Sequence, residues 1–401
     1  MTRTVVVIGG GHAGAEAVVA LYQMGWREQI VMLSDEPYLP YQRPPLSKAF
    51  LKTDLDAASL AIKNAAMYAK IGADIRLNTR VVAIDRERQQ VVKVSGDRQA
   101  YDYLIIATGT RPRRLEIPGY PADQVHYLRT LDDAHAIKQT LRVGARLLLV
   151  GAGYIGLELA ASAVQLGAIA TVLEAQPRVL ARVTCDTMSD FFTALHRSHG
   201  VDVRVNAMLA SIQPDGAGWI AQLKDGQTIG FDALVAGIGV LPNVELAEEA
   251  GLACDNGIVV DETTTTSDPR ILAIGDCSNH PNALYHTRLR LESVPNANEQ
   301  AKVAAATIVG KPIAHDALPW FWSDQYDIKL QTAGLSIGYD QTVLRGEPAS
   351  GQFAVFYLHE GRLIAVDAVN RPADFMMARR HIPAGIRPDP VLLADPSQAW
   401  C

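Results

Sequence analysis

Two glycine triplets in this chain have the spacing of a phosphate-binding loop. Each reads GxGxxG, and the two copies are Gly9, Gly11 and Gly14, and Gly151, Gly153 and Gly156. In such a loop the absence of side chains lets a phosphate reach backbone N–H groups at the positive end of a helix. The spacing therefore predicts recognition of a dinucleotide, twice in one chain.

The segments around the two triplets form an internal repeat. Residues 4–36 and 146–175 each contain a short apolar run, the triplet, an alanine-rich stretch that ends at glycine, and a second apolar run that ends in acid. Apolar runs without polar alternation are typical of parallel strands buried on both faces, and a glycine after the alanine-rich stretch is typical of a helix end. The pattern predicts an α/β fold with two Rossmann-like nucleotide-binding domains.

Acidic residues after the second apolar run indicate which nucleotide each module binds. Glu174 is placed to accept from a ribose 2′-hydroxyl and to repel a 2′-phosphate, which favours NADH over NADPH at the second module. Arg178 and Arg182 follow it and support the alternative, because arginine can bind a 2′-phosphate. At the first module Asp35 and Glu36 are both well placed, and the sequence does not choose between them.

Composition and cysteine usage narrow the classes of function. The net charge is −6, so a nucleic-acid binder, which usually carries a basic stripe, is not expected. The apolar stretch 147–173 is interrupted by glycines and by Glu158, so it predicts no membrane span.

The scattered cysteines form no CxxC pair, which argues against a zinc or redox motif and indicates a reducing, cytoplasmic setting. They are Cys185, Cys254, Cys277 and Cys401.

The order of the patterns predicts three domains, the first of them split. After the second module the chain returns to short strand-like runs such as residues 271–277, so that module is interpreted as an insertion. From Leu318 the pattern changes to alternating strands and a helix, which predicts a small α+β domain. The predicted bounds are 1–109 with 238–316 for the first nucleotide-binding domain, 110–237 for the second and 317–401 for the C-terminal domain.

A proline-rich segment after the first module carries two cations. It reads YLPYQRPPLSKAFL over residues 38–51, with Arg43 and Lys48 on either side of Pro44 and Pro45. Its prolines predict a stiff loop that is neither helix nor strand. From this loop alone, Lys48 is interpreted as a solvated lysine.

Six motifs together give the chain a family resemblance. They occur in order and span essentially the whole chain: RPPLSK, ATGTRPR, GLELA, AIGDC, ESVPNANEQA and PWFWSDQYDIKLQTAG. With them the chain resembles the FAD-dependent ferredoxin reductases that serve bacterial haem monooxygenases and Rieske oxygenases. The resemblance implies FAD on the first module, NADH on the second, and a C-terminal domain that closes over the flavin. It also implies that electrons pass from NADH through FAD, one at a time, to a two-iron two-sulfur ferredoxin.

The resemblance implies catalytic roles for Lys48 and Glu158. Lys48 is expected near the reactive edge of the flavin, paired with Glu158 beside the nicotinamide. Such a pair would align NADH and would not relay a proton, because hydride transfer depends mainly on alignment. From the residues alone, Glu158 is an acid in the first turn of a helix, where it would complement the helix dipole.

The resemblance also assigns residues to the two cofactors. Asp276 is expected to bind the ribityl hydroxyls, Pro295 to be the first residue of a helix aimed at the flavin's pyrimidine end, and Trp322 rather than Trp320 to pack beside the flavin. The residues assigned to FAD are Gly9, Gly11, His12, Ala13, Gly14, Asp35, Glu36, Arg43, Pro44, Lys48, Val82, Ala107, Thr108, Gly109, Arg129, Gly275, Asp276, Ser293, Val294, Pro295 and Trp322. His12 is expected to pack at the edge of its loop and not to act as a catalyst. The residues assigned to NADH are Gly151, Gly153, Tyr154, Ile155, Gly156, Glu158, Glu174, Ala175, Arg182, Gly237, Ile238 and Gly239.

Two pairs of arginines are candidates for docking a ferredoxin. Arg288 with Arg290, and Arg379 with Arg380, are basic clusters in an acidic chain, and ferredoxins are typically acidic, so such clusters would steer association. The alternative is that each cluster is a solvated face.

Other activities fit the same fold. A disulfide reductase, peroxidase or NADH oxidase would carry a cysteine in the early loop, and residues 34–50 contain none. A rubredoxin reductase, or a redox signalling protein like the apoptosis-inducing-factor relatives, needs no such cysteine and stays an alternative.

Overall fold

The computed structural model describes residues 2–400. The strands are β1 (Thr4–Ile8), β2 (Gln29–Leu33), β3 (Ala73–Arg76), β4 (Val81–Asp85), β5 (Gln90–Lys93), β6 (Arg98–Ala100), β7 (Tyr103–Ile106), β8 (Thr110–Pro112), β9 (Val125–His126), β10 (Arg146–Val150), β11 (Ile169–Leu173), β12 (Asp202–Arg204), β13 (Leu209–Asp215), β14 (Gly218–Leu223), β15 (Thr228–Phe231), β16 (Ala233–Ala236), β17 (Val240–Pro242), β18 (Ile258–Val259), β19 (Ile271–Ala273), β20 (Ser278–Asn282), β21 (Thr287–Leu289), β22 (Trp320–Gln325), β23 (Ile328–Gly334), β24 (Gln341–Glu347), β25 (Gln352–His359) and β26 (Arg362–Val369). The α-helices are α1 (His12–Gln23), α2 (Ala49–Lys52), α3 (Ala65–Ile71), α4 (Leu131–Thr140), α5 (Tyr154–Gln165), α6 (Asp186–Ser198), α7 (Glu245–Glu249), α8 (Val294–Ile308), α9 (Pro372–His381) and α10 (Pro390–Ala394). Short 3₁₀ helices lie at Pro44–Ser47, Ala122–Gln124, Gly275–Cys277 and Pro348–Ser350.

The chain forms two compact units, each built from separate stretches of sequence. The first contains the described part of residues 1–42, with 55–111 and 241–319. The second contains residues 43–54, 112–240 and the described part of 320–401. Residues 43–54, which the sequence analysis places in the first nucleotide-binding domain, thus group with the second unit. The functional domain bounds stay a prediction, because compactness alone does not define them.

The first unit is organised around a parallel sheet. Its strand order is β19-β7-β1-β2-β3, with Ile8 of β1 opposite Leu33 of β2 and Ile106 of β7. Helices α1 and α8 pack on one face, where Ala17 and Ala304 join the same apolar cluster. Small side chains on both helices allow this close approach. Two small sheets, β4-β5-β6 and β18-β20-β21, complete the unit.

The second unit contains a parallel sheet of the same design. Its order is β12-β11-β10-β16-β9, and Val150 of β10 lies opposite Leu173 of β11 and Ala236 of β16. An antiparallel sheet, β13-β14-β15, extends this part of the chain. A further antiparallel sheet has the order β22-β23-β26-β25-β24, with α9 against β23 and β26.

The predicted repeat is therefore present in three dimensions. In both parallel sheets the strand before the triplet is central, and the strand that follows the helix is its neighbour. The first glycine of each triplet makes the same contact, since Gly9 N–H donates to Leu33 O at 2.9 Å and Gly151 N–H donates to Leu173 O at 2.8 Å. Both βαβ modules and the α+β character of the last segment are as predicted.

Three local predictions were wrong in detail. The loop 38–51 contains the 3₁₀ helix Pro44–Ser47 and the short helix α2, because a proline in a first turn needs no N–H donor. Pro295 is the second and not the first residue of α8, because Ser293 is the N-cap and accepts from Asn296 N–H. Glu158 is the fifth residue of α5, beyond its first turn.

Helix length and cysteine burial bear on two further predictions. Within residues 2–400, helices are too short or too polar to span a bilayer. Cys185 and Cys277 are buried thiols and Cys254 is half-buried, while Cys401 lies outside the described residues.

Candidate functional site

The outer glycines of each triplet are required by packing. A Cβ on Gly14 would lie 2.0 Å from Gly9 O, and one on Gly156 would lie 2.2 Å from Gly151 O. The first glycines are equally confined. A Cβ there would lie 2.2 Å from Ala107 O for Gly9 and 2.4 Å from Gly237 O for Gly151. Since backbone atoms cannot move aside, the first glycine packs each loop against the turn after a neighbouring strand, and the third glycine packs against the first.

The middle glycine of each triplet has a different role. Gly11 and Gly153 have ordinary φ values of −83° and −78°, and a Cβ on either would meet no protein atom within 4 Å. Both are N-caps of helices whose first turns receive no side-chain cap and contain no acid. The first-turn N–H groups of a helix have no intrahelical partner, and the open space in front of these two helices fits an anionic pyrophosphate.

Glu174 is held against the second glycine loop. Its Oε2 accepts from Ala152 N–H at 2.8 Å and its Oε1 from Gln176 N–H at 2.8 Å. A carboxylate oxygen accepts more than one hydrogen bond, so both oxygens keep capacity for a ribose hydroxyl. The arrangement fixes a negative charge beside the loop and disfavours a 2′-phosphate.

The two arginines that follow Glu174 have different surroundings. The guanidinium of Arg178 donates to Thr184 O and Ser189 Oγ, both at 2.7 Å, and pairs with Asp186 at 2.8 Å. Arg182 is exposed, and its Nη2 would lie 3.7 Å from a Cβ on Gly239. Arg178 is therefore committed to its own loop, whereas Arg182 lies beside the predicted nucleotide turn at residues 237–239.

The first module places its acids further along the chain. Ser34, not an acid, follows β2 directly, and Asp35 is exposed. Glu36 is half-buried and accepts from Tyr41 Oη at 2.5 Å. The structure brings both acids to the end of β2 without choosing between them.

Two turns in the first unit hold further predicted FAD residues. The turn at residues 107–109 is tied to Asn243, which donates from Nδ2 to Thr108 O at 2.9 Å and from its backbone N–H to Gly109 O at 2.9 Å. The turn at Gly275 and Asp276 packs against α1, since a Cβ on Gly275 would lie 2.9 Å from that of Ala13. Asn243 was missed in the sequence analysis, because no local motif marks it.

Other predicted FAD residues of the first unit lie on ordinary secondary structure. His12 begins α1 and is half-buried, Val82 is exposed on β4, and Ser293 caps α8 ahead of Val294.

The second unit brings Lys48 and Glu158 together. Lys48 Nζ lies 2.7 Å from Glu158 Oε2, and the glutamate is 2% exposed. Ser47 Oγ donates to the same oxygen at 2.5 Å, and Ser323 Oγ donates to Oε1 at 2.6 Å. Lys48 Nζ also donates to Pro44 O at 3.2 Å. The interpretation of Lys48 as a solvated lysine is therefore wrong, since its ammonium is fixed by a buried carboxylate and a carbonyl.

Ser47 and Ser323 are functional candidates that sequence reasoning missed. Both lie inside motifs that carried the family resemblance, RPPLSK and PWFWSDQYDIKLQTAG. Serines in loops and strands are common, so spacing alone gave no signal. Ser162 on α5 adds a further tie by donating to Ser47 O at 2.7 Å.

Aromatic and basic side chains surround these residues in the second unit. Arg43 donates to the carbonyl of Arg129, which fixes the start of the 3₁₀ helix. Tyr154 lies against Phe321, with 4.6 Å between ring centroids, and the next residue, Ile155, is exposed. The ring centroids of Trp322 and Trp320 lie 5.7 Å apart.

The guanidinium groups of the two arginine clusters have different contacts. Arg288 Nη2 donates to Val260 O and Asn279 O, and Arg290 pairs with Glu292 at 2.7 Å while 10% exposed. On α9, Arg380 is exposed, and the guanidinium of Arg379 lies 4.9 Å from the ring centroid of Trp320. Each pair has one exposed and one half-buried arginine, but the guanidinium groups at residues 288 and 290 are held by carbonyls and a carboxylate.

Comparisons with known proteins agree with this geometry. Residues 3–301 match the family described as pyridine nucleotide-disulphide oxidoreductase, and residues 320–399 match the reductase C-terminal family. The chain is 43% identical to putidaredoxin reductase of Pseudomonas putida over 399 residues, covering 98% of this chain and 94% of the relative. The chain belongs to the putidaredoxin reductase-like ferredoxin reductases.

A solved structure and a second relative extend the comparison. The reductase in the crystal structure of the covalent putidaredoxin reductase–putidaredoxin complex is 42% identical, with a TM-score of 0.94 and coverage of 98% of this chain and 96% of that one. A rubredoxin-NAD(+) reductase of Pseudomonas putida is 39% identical over 370 residues, 92% of this chain and 96% of the relative. Family membership confirms the predicted fold class and oxidoreductase activity with FAD and NAD(H), and the two glycine cradles fit two dinucleotides.

Proposed function

We propose that this protein carries electrons from NADH through FAD, one at a time, to a two-iron two-sulfur ferredoxin that feeds an oxygenase. The observation that carries the proposal is the ion pair between Lys48, on a cysteine-free loop, and the buried Glu158 on helix α5. When bound, FAD takes two electrons from NADH and releases them singly, which amino-acid side chains do not do. A reductase that acted on disulfides would need a thiol where this chain has a lysine–glutamate pair.

Each module has residues suited to one cofactor. We assign the N-terminus of α1, with Gly11, to the pyrophosphate of FAD, and the N-terminus of α5, with Gly153, to that of NADH. Glu174 would hold the adenine ribose of NADH and reject NADPH. Lys48 and Glu158 would orient the nicotinamide, because a charge pair fixed between a hydrogen-bonded loop and a helix restricts how the ring can lie.

The acceptor is assigned from the relatives and from charge. The putidaredoxin reductase to which the chain is similar forms a complex with putidaredoxin. Arg380 is exposed on α9 next to Arg379, and opposite charges raise association rates with an acidic protein. A rubredoxin is the second candidate acceptor, since a rubredoxin reductase is among the relatives. A cytoplasmic location stays a prediction from cysteine usage.

Anaerobic mixing tests the assignment. The purified holoenzyme is mixed with NADH or NADPH and flavin bleaching is followed. The reduced enzyme is then mixed with a two-iron ferredoxin or with a rubredoxin. Fast bleaching with NADH alone, followed by rapid ferredoxin reduction, is expected. Equal rates with NADPH would overturn the role of Glu174, and rapid reduction of rubredoxin alone would move the acceptor to the second candidate.

Charge reversal on α9 tests the docking surface. Arg380→Glu is expected to raise KM for the ferredoxin about tenfold at low salt, and the difference should shrink as salt is added, since screening weakens exposed charges. Arg288→Glu is the matched control from the other cluster, because that guanidinium is bound to two carbonyls. A larger effect from Arg288→Glu would place docking on the first unit.

A further inference from the structure

A row of buried polar side chains continues beyond Glu158. Ser323 Oγ, which donates to Glu158, lies 3.2 Å from Gln325 Nε2. Gln325 Oε1 lies 2.8 Å from His196 Nε2, and His196 Nδ1 lies 3.0 Å from Tyr326 Oη. Ser323, Gln325 and His196 are each at most 1% exposed. We call the four residues Ser323, Gln325, His196 and Tyr326 the polar row.

Every hydrogen bond in the polar row points the same way. The carboxylate of Glu158 can only accept, so Ser323 donates its proton to it. The serine oxygen then accepts from Gln325 Nε2, which turns Gln325 Oε1 toward His196. His196 must therefore carry its proton on Nε2 and accept from Tyr326 on Nδ1. One orientation satisfies all four groups, and burial, which lowers the pKa of His196 to about 4, favours the neutral imidazole that this orientation needs.

The row is built to hold an orientation and not to move a proton. In Gln325 the donating nitrogen and the accepting oxygen are different atoms, so a proton that arrives at one does not leave from the other. The amide instead locks the serine hydroxyl toward Glu158. Because both neighbours of Ser323 are fixed, its hydroxyl cannot rotate to another acceptor without leaving a buried polar atom unpaired, which is unfavourable.

We propose that Ser323 is a positioning residue for the Lys48–Glu158 pair and that Gln325 and His196 lock it in place. Ser323 fixes Oε1 of the glutamate, while Lys48 and Ser47 fix Oε2, so the carboxylate plane has one orientation. The inference rests on the proposed role of that pair in the NADH step. It links strand β22 and helix α6 to the nucleotide-binding helix through named atoms.

Rapid mixing of NADH with Ser323→Ala holoenzyme tests the proposal. The limiting rate of flavin bleaching is expected to fall about tenfold with little change in the dissociation constant of NADH, because alignment is lost and not binding. The long-wavelength absorbance of reduced flavin with NAD⁺, which reports how the two rings stack, should also change. Ser323→Thr keeps the hydroxyl and is expected to restore the rate to within about a factor of two.

Further variants separate positioning from general loss of stability. Gln325→Leu removes the lock without touching Glu158 and should lower the same rate by a smaller factor, about threefold. Ser350→Ala, in the exposed turn of the same unit, is the matched control and should match the wild type. An unchanged rate and spectrum in Ser323→Ala, with wild-type bleaching by NADH intact, would overturn this inference alone. If Ser323→Ala does not retain FAD, Gln325→Leu decides, and wild-type rates and absorbance there would overturn it equally. Failure of the wild type to bleach would instead overturn the proposed function.

Discussion

The two nucleotide-binding modules place a glutamate at the same position and give it different surroundings. Glu16 and Glu158 are each the fifth residue of their helix, two residues beyond the third glycine. Glu16 is half-exposed, whereas Glu158 is buried against Lys48 and two serines. The difference comes from what packs on each helix, which is α8 on α1 but the 3₁₀ helix at 44–47 and strand β22 on α5. The repeat supplies two binding loops, and segments outside the repeat equip only one of them with a charge pair.

The modules differ a second time at the end of their second strand. Ser34 and Glu174 occupy equivalent places, since their backbone N–H groups donate to Arg76 O and Arg204 O respectively, both at 2.9 Å. Glu174 accepts a hydrogen bond from its glycine loop, through Ala152 N–H at 2.8 Å. In the first module a Cβ on Gly10 would lie 2.5 Å from Ser34 Oγ, so the loop lies directly on the serine. Under the proposed assignment of NADH to the second module, Glu174 would disfavour a 2′-phosphate there.

The largest effect is expected from the middle glycines. Gly11→Ala should abolish FAD retention, with occupancy lower by about tenfold or more, because the added methyl enters the space in front of the helix N-terminus. Gly153→Ala should keep FAD and lose the NADH reaction to a similar extent. Flavin absorbance of the purified protein and the rate of bleaching by NADH measure the two effects.

Thermal unfolding of the two apoproteins is the control for these glycine variants. Both should match the wild-type apoprotein, because neither methyl meets protein within 4 Å. If Gly11→Ala retained FAD and Gly153→Ala lost it, the assignment of cofactors to modules would be reversed.

The paired glutamates give the next largest effect. Glu158→Gln should slow flavin reduction by NADH about tenfold or more, because the charge opposite Lys48 is removed from a buried site. Glu16→Gln makes the same change at the same helix position and should leave the rate within about a factor of two, since the group is partly solvated. Stopped-flow reduction of both holoenzymes measures the contrast. Equal losses would mean that helix position matters, not the neighbours of Glu158.

The residues after the second strands give a moderate effect. Glu174→Ala should lower kcat/KM for NADH about tenfold and raise the relative rate with NADPH, because a hydroxyl acceptor and a repelling charge are both lost. Ser34→Ala is the matched change in the first module and should leave FAD content and both rates near wild type. Steady-state kinetics with each nucleotide and a ferredoxin acceptor provide the test. A selectivity for NADH that survives in Glu174→Ala would point to Arg182 or the turn at 237–239.

The sequence predicted what is local and repeated, and missed what depends on distant contacts. The triplets, their strands and Glu174 follow from spacing within about thirty residues, because a βαβ unit is a local structure. The Lys48–Glu158 pair was expected only from family resemblance, since 110 positions separate the two residues in the chain. Ser323, Gln325 and His196 carry no signal of their own, because their role comes from a sheet and a helix brought together by the fold. Short-range errors at Pro295 and at the loop 38–51 reflect capping and proline geometry that the sequence allows in more than one register.

The smallest expected effect is that of pH on stability, through buried histidines. Each unit contains at least one buried histidine, so the two units can be compared. Burial lowers the pKa of His196 in the second unit to about 4 and that of His280 in the first to about 3. In the unfolded chain a histidine takes up a proton near pH 6.5. Between these values the unfolded state binds more protons than the folded state, so stability falls as the pH is lowered from about 6.5 toward 4. Each histidine should therefore lower the free energy of unfolding by roughly 1 kcal/mol as the pH falls from 7 to 5.5.

Substitution of each histidine shows whether the two units share this acid sensitivity. His196→Gln and His280→Gln should both be less stable than the wild type at pH 7, because each removes hydrogen bonds in a buried network. The deficit should shrink at pH 5.5, because glutamine does not titrate. Thermal unfolding at the two pH values gives the comparison, and hydrogen exchange in α6 and α8 shows which unit responds. A deficit for His196→Gln that is the same at both pH values would mean that this imidazole takes up its second proton as readily in the folded protein as in the unfolded chain, which contradicts the lowered pKa that favours its neutral form.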